Sequence, residues 1–106
     1  MPVSWTPDEF QKHLDQGKRV FVKVWQKGCG PCKMSSPAVE RIEAENKHEL
    51  VFGQICIDDH PEFGEVANID VMPTFFVFVD QEMKGKYSGF KGIAKLQAFL
   101  DESLGA

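Results

Sequence analysis

Cys29 and Cys32 are the residues of this chain whose type and spacing most clearly suggest chemistry. Two residues separate them, and both follow an apolar run over residues 20–25. If a helix begins at this point, side chains three residues apart lie on the same face and can meet. A disulfide between them would close a very short loop and would remove little entropy from the unfolded chain. Such a bond adds little to the stability of the fold but can readily be formed and reduced, so the spacing predicts a redox-active dithiol.

A helix start would also raise the reactivity of the first thiol. The thiolate is the nucleophilic form, and a cysteine with the ordinary pKa of about 8.5 is only about a few per cent thiolate near neutral pH. Free backbone amides and the helix dipole stabilise a thiolate at the amino end of a helix. We therefore expect Cys29 to be the exposed nucleophile and Cys32, one turn deeper, to resolve the mixed disulfide. Lys33 adds positive charge nearby, and Gly28 and Gly30 leave room for another backbone to approach.

Two other uses of a cysteine pair are a structural disulfide and half of a zinc site. Zinc sites usually need four ligands, and beyond the pair this chain has only Cys56 and three scattered histidines. Cys56 lies between two isoleucines and is expected to be a buried core thiol. His13, His48 and His60 show no spacing that suggests catalysis and are expected on the surface. The redox interpretation is therefore favoured, with no metal and no organic cofactor.

Alternating strand and helix patterns surround the cysteine pair. A helix opened by a capping box of Thr6 and Glu9 comes first. It is followed by a strand over residues 20–25, a helix over about 30–47, a strand over 50–57, a short helix over 60–68, a strand over 74–79, a turn over 80–83, a strand over 84–88 and a helix over 93–104.

The order of these elements predicts an α/β fold. Strand, long helix and strand form a right-handed unit with parallel strands, whereas the close spacing of the last two strands makes them antiparallel. The sheet is therefore expected to be central and mixed, with helices on both faces. Residues 28–32 then lie between the carboxyl end of a strand and the amino end of a helix, where open α/β sheets usually place their sites.

Length and charge limit the remaining possibilities. The 106 residues suit a single domain over 1–106. The formal net charge of −4 argues against a general nucleic-acid binder, which would need a basic face. No apolar run is long enough to span a membrane, and the first residues do not have the pattern of a signal peptide. We expect a monomer in the cytoplasm, where cysteines stay reduced.

Two motifs of this chain resemble those of the thioredoxin family. The segment Cys29-Gly30-Pro31-Cys32-Lys33 is similar to the active site of thioredoxins, and Trp25 stands four residues before the first cysteine, as it does in that family. Glutaredoxins and disulfide isomerases usually carry other residues between the cysteines. The resemblance covers nearly the whole chain and implies a thioredoxin fold.

The second motif is the segment Val71-Met72-Pro73-Thr74, which looks like the cis-proline loop of the family. The resemblance implies that Pro73 is cis and packs beside the cysteines, and that Met72 offers backbone groups to an extended substrate strand, a form of β-augmentation. Gly89 matches the glycine that follows the last strand in relatives. Phe90 beside it either lies exposed and helps to bind partners or folds back onto the site.

The resemblance also implies an activity. Thioredoxins reduce disulfides in other proteins by dithiol–disulfide exchange and are themselves reduced again by a dedicated reductase. This chain is therefore expected to act on disulfide-containing proteins and to take electrons from a partner of the thioredoxin-reductase type. An alternative is a binding module of the same fold, in which the Pro73 loop, Phe90 and Gly28 contact a partner and redox chemistry is secondary.

The chain departs from the family at two positions beside the cysteines. Relatives usually have a buried aspartate six residues before the first cysteine, where this chain has Lys23, and the lysine usually paired with that aspartate corresponds to Gln54. Strand alternation points Lys23 towards the site. Either it is buried, and loses its proton or attracts a thiolate, or it reaches water at the strand end. Relatives also usually have a bulky residue at the position of Gly28.

Overall fold

The computed structural model describes residues 2–105. Its elements are β1 (Val3–Ser4), α1 (Pro7–Asp15), β2 (Val20–Trp25), α2 (Gly30–Glu45), β3 (Val51–Cys56), α3 (Pro61–Val66), β4 (Thr74–Val79), β5 (Glu82–Ser88) and α4 (Ile93–Leu104). Within this range the strands form one sheet in the order β1-β3-β2-β4-β5. β3 is parallel to β1 and β2, whereas β4 is antiparallel to β2 and β5. The predicted mixed sheet is confirmed.

Helices cover the sheet on both faces. On one face, α2 and α4 pack against residues of β2, β3 and β4, and this cluster includes Phe21, Val39, Phe75, Leu96 and Leu100. On the other face, α1 packs against the alternate residues of β2, and side chains of α3 lie at the edge of that cluster. Because both faces of β2 are covered, its sequence is a nearly continuous apolar run, as in other central strands. Lys23 is the charged exception.

The capping box predicted for the first helix is confirmed. Thr6 Oγ1 accepts a hydrogen bond from Glu9 N at 3.1 Å, and Glu9 Oε1 accepts one from Thr6 N at 2.9 Å. These two bonds satisfy amide groups that would otherwise have no partner in the first turn. The helix therefore begins at Pro7, immediately after its cap.

Two features of the sheet differ from the prediction. β1 was not predicted, because two residues are too few to show an alternating pattern, yet Val3 and Ser4 pair with Gly53 and Gln54 of β3. The predicted turn over 80–83 is shorter than expected. Only Asp80 and Gln81 form it, both with positive φ (52° and 69°), and β5 begins at Glu82. Asp is common at the first position of such a turn, but Gly usually follows it, so Gln81 makes the turn hard to recognise.

Candidate active site

The cysteine pair lies where β2 gives way to α2. Cys29 is the N-cap residue of α2, and its Sγ accepts a hydrogen bond from Cys32 N at 3.2 Å. The two sulfurs form a disulfide, with the Cα atoms 5.3 Å apart. A negative charge on Cys29 Sγ would keep this hydrogen bond and would face the positive end of the helix dipole. The local geometry therefore favours a thiolate at Cys29 once the disulfide is reduced.

Exposure differs between the two cysteines in the expected order but not to the expected degree. Cys29 is 8% exposed and Cys32 is 2% exposed. Cys29 was predicted to be an exposed nucleophile, yet in this disulfide form it is largely covered. Its sulfur is bonded to Cys32 and turned towards the helix that it caps, which explains the difference.

Lys23 is buried directly behind Cys32. It is only 3% exposed, and its Nζ donates to Cys32 O at 2.9 Å and to Ser36 Oγ at 3.2 Å. Burial lowers the pKa of this amine, and the charge of Glu40 opposes that shift in part. Of the two alternatives, the buried one is therefore correct, since the Lys23 side chain does not extend to the protein surface.

A pocket of about 130 Å³ adjoins these groups. Lys23, Cys32 and Ser36 line it, together with Gln54, which lies opposite Lys23 on β3. A space of this size is large enough to admit water, and Lys23 and Ser36 offer it polar atoms. The resolving cysteine therefore has both a buried amine and a space that water can enter beside it.

The sequence reasoning missed two contributors to this arrangement. Ser36 lies four residues after Cys32 on α2, a spacing that places both on one helix face and that could have identified it. Asp58 was also missed: its Oδ2 accepts from Lys27 N at 2.7 Å and so holds the loop before the cysteines. The neighbouring Asp59 pairs with Lys27 Nζ at 3.0 Å. These contacts join residues about thirty positions apart, which no local pattern shows.

The loop before β4 reaches the same end of the sheet. The Met72–Pro73 peptide is cis, as the resemblance implied. Thr74 pairs with Val24 near the carboxyl end of β2. Pro73 therefore lies just beyond the paired residues of β2 and β4, at the end of β2 from which the chain continues to Cys29. Pro73 O accepts a hydrogen bond from Gly89 N at 2.7 Å, which joins this loop to the end of β5.

The other predicted contact residues differ in how open they are. Gly28 has φ +71°, and a Cβ built there or at Gly30 would meet no atom within 4 Å, so the surface beside Cys29 is open. Trp25 is partly buried, and its Nε1 has no hydrogen-bond partner among residues 2–105. Phe90 is partly buried: it packs against the cluster shared by α2 and α4 and lines a shallow groove with Met34.

Cys56, His48 and His13 are chemically capable side chains outside the cysteine pair. Cys56 is free and 8% exposed, which confirms a buried thiol. The prediction that His48 lies on the surface was wrong, because its side chain is buried against α4, with Nε2 2.7 Å from Asp101 Oδ1. His13 is partly buried, and its ring is tilted against that of Trp5, with the centroids 4.7 Å apart. Across residues 2–105, no cluster of three or more His, Cys, Asp or Glu side chains could hold a metal ion.

Comparison with known proteins agrees with the fold and the site. The family model for thioredoxin matches residues 1–102. The chain is 33% identical over 98 residues to a thioredoxin of Coprinus comatus, covering 92% of each chain. It is 34% identical over 89 residues to a thioredoxin of Mycobacterium tuberculosis, covering 84% of this chain and 77% of the relative.

Solved structures give the same result. The crystal structure of oxidised mitochondrial thioredoxin 3 from Saccharomyces cerevisiae has a TM-score of 0.79 and 25% identity, with 94% of each chain covered. In the part of this chain that is described, no helix is both long enough and apolar enough to cross a membrane. The chain therefore belongs to the thioredoxin family, and it is a thiol–disulfide oxidoreductase with a Cys29–Cys32 disulfide at its active site.

Proposed function

We propose that Cys29 attacks disulfides in protein substrates and that Cys32 resolves the mixed disulfide. The Cys29 thiolate bonds to one substrate sulfur, and the other substrate sulfur leaves with the electron pair and takes a proton from water. Cys32 then loses its proton and attacks Cys29 Sγ, which releases the second substrate sulfur as a thiol. The substrate disulfide is reduced by two electrons, and the cysteine pair is oxidised. The observation that supports these roles best is the hydrogen bond from Cys32 N to Cys29 Sγ.

Substrates are proposed to bind as an extended segment across the carboxyl end of β2. The backbone of Met72 would pair with the segment, and the open surface at Gly28 and Gly30 would admit its main chain next to Cys29. The residues proposed for this contact surface are Trp25, Gly28, Gly30, Met72, Pro73, Gly89 and Phe90. Two further residues are proposed to tune the pair: Pro31, in the first turn of α2, and the exposed Lys33 beside Cys32.

Electrons are proposed to come from a reductase of the thioredoxin-reductase type. One relative, from Mycobacterium leprae, is named a bifunctional thioredoxin reductase/thioredoxin. This chain is 32% identical to it over 93 residues, which make up 20% of the length of that protein. That protein joins the two partners in one chain, which supports their pairing here. We propose that the chain works as a single domain over residues 1–106, as a monomer, in the cytoplasm, where reduced thiols are maintained.

A disulfide-reduction assay on serine variants tests the two roles. With dithiothreitol as reductant and insulin as substrate, Cys29→Ser and Cys32→Ser are each expected to lose turnover to the rate of dithiothreitol alone. Cys56→Ser is the matched control, because it removes a buried thiol outside the pair and should keep turnover. Wild-type turnover by Cys29→Ser would overturn the assignment of the nucleophile. Negligible turnover by the wild-type chain would favour the binding-module alternative.

A further inference from the structure

Lys23 is a buried amine that the exchange reaction does not by itself require. It lies on the central strand, with both neighbouring strands covering its backbone. A buried amine is costly unless hydrogen bonds or an opposite charge compensate for the lost water. Its position therefore needs an explanation in terms of the groups around it.

The amine of Lys23 is hydrogen-bonded to the first two turns of α2. Its two acceptors are Cys32 O at 2.9 Å and Ser36 Oγ at 3.2 Å. Cys32 O also accepts from Ser35 Oγ at 2.7 Å and from Ser36 Oγ at 3.3 Å. These contacts hold the nitrogen of Lys23 against the residue that carries the resolving sulfur.

Neutral groups flank Lys23 within the sheet. Its partners across the two ladders are Gln54 on β3 and Phe75 on β4. From α2, Glu40 favours the charged amine through its field, and Lys33 lies on the wall of the same pocket but is exposed to water. The cysteine pair is uncharged as a disulfide, and it gains negative charge only when it is reduced and a thiol loses its proton.

Resting on the proposed function, we propose that Lys23 is a positioning residue whose ammonium group stabilises the Cys32 thiolate during resolution of the mixed disulfide at Cys29. In that step the Cys32 thiol releases its proton to water in the adjoining pocket. The Cys32 sulfur then bonds to Cys29 Sγ, and the bond between Cys29 and the substrate breaks. The electron pair leaves on the substrate sulfur, which is protonated by water.

The coupling between the two groups is reciprocal. A positive charge beside a thiol favours the thiolate, and a thiolate beside an amine favours the ammonium form by the same free energy. Because burial disfavours the ammonium form while the cysteine pair is a neutral disulfide, reduction is expected to shift Lys23 towards its charged form. The pKa of Lys23 is therefore expected to be higher in the reduced chain than in the oxidised chain.

Transient kinetics can separate attack by Cys29 from resolution by Cys32. Reduced protein carrying Cys56→Ser is mixed with a symmetric nitroaromatic disulfide, so that each step releases one coloured thiolate. In Lys23→Met the pH midpoint of the second phase should rise by about one unit. Its rate near neutral pH should fall about threefold, because the thiolate fraction falls about tenfold while the more basic thiolate is the better nucleophile. The matched control is Lys95→Met, which makes the same chemical change at an exposed lysine of α4. There, solvent screening should limit the change to less than about twofold.

Equal second-phase midpoints in Lys23→Met and its parent would contradict the role of Lys23 and leave the proposed function intact. Absence of both phases in the parent would instead contradict the proposed function. A second measurement needs no substitution: the ε-carbon shift of Lys23 is followed by NMR against pH in the oxidised and reduced wild-type chain. The titration midpoint should be higher in the reduced chain, and identical midpoints would overturn the proposal.

Discussion

Two nitrogen-bearing side chains are buried near opposite ends of β2, and the two are compensated differently. At the redox end, the acceptors of Lys23 Nζ are two neutral oxygens, from Cys32 and Ser36. At the other end, His48 precedes β3 near the start of β2, and its Nε2 meets the carboxylate of Asp101 on α4 at 2.7 Å. The buried histidine faces a permanent charged partner, whereas the hydrogen bonds of the buried lysine go to uncharged groups.

This difference suggests how one small domain combines stability with reactivity. Asp101 joins α4 to the α2–β3 connection, and it also accepts from Lys47 Nζ at 3.3 Å and from Gln97 Nε2 at 3.0 Å. These hydrogen bonds do not involve the cysteine pair, whose charge changes during the reaction. Around Lys23, by contrast, the neighbouring sulfur changes between neutral disulfide and thiolate. A buried amine there has an interaction that varies with the redox state.

Inverting the charge at the redox end should have the largest effect. Lys23→Asp replaces a group that favours the thiolate with one that opposes it, so the reduced form loses stability relative to the disulfide. In equilibrium with glutathione, the oxidised-to-reduced ratio of the Cys29–Cys32 pair should rise at least about tenfold near neutral pH. Alkylation of the quenched mixtures and mass spectrometry measure that ratio. An unchanged ratio would show that the charge at this position does not act on the pair.

Removing the charge at the other end should reduce stability. Asp101→Asn is expected to lower the free energy of unfolding by about 1 to 2 kcal/mol near neutral pH, because hydrogen bonds to a charged acceptor are lost or weakened. Urea denaturation measures the change. Glu102→Gln, an exposed position next in α4, is the matched control and should change stability by less than about 0.5 kcal/mol.

The pH dependence of that loss has a fixed sign. The hydrogen bond from His48, followed by those from Gln97 and Lys47, holds the pKa of Asp101 below its ordinary value. Its contribution to stability is therefore fully present above the ordinary carboxyl pKa of about 3.9 and is lost as the pH falls through the lowered value in the folded chain. The difference between Asp101→Asn and wild type should thus shrink in strong acid. A difference that grew on acidification would contradict the pairing.

The sequence predicted the elements that local patterns specify. β2, β4 and α4 have the predicted limits, because each has a local signal. β2 is a bounded apolar run, β4 is rich in β-branched and aromatic residues, and α4 has an apolar helical face that ends before Gly105. β1 has only two residues and gives no such signal. The hairpin turn has Gln81 at positive φ, where Gly is usual, so its sequence is not typical of a two-residue turn.

The site was predictable as far as residue types and strand alternation allow. Strand alternation placed Lys23 on the correct face of β2. Whether its side chain is buried depends on its contacts with Cys32 and Ser36 of α2, and the sequence alone does not show that these residues lie next to Lys23. The burial of His48 depends on Asp101, 53 residues away. Such contacts between distant segments are set by packing of the whole domain and leave no local pattern.

Trapping the mixed disulfide tests the central claim most directly. Reduced Cys32→Ser, incubated with a disulfide-containing protein, should form a covalent adduct that dithiothreitol releases, and peptide mass spectrometry should place the link at Cys29. Cys29→Ser under the same conditions should form little adduct, since Cys32 is the more buried sulfur. An adduct of Cys32→Ser linked through Cys56, or an equal yield from Cys29→Ser, would contradict the account.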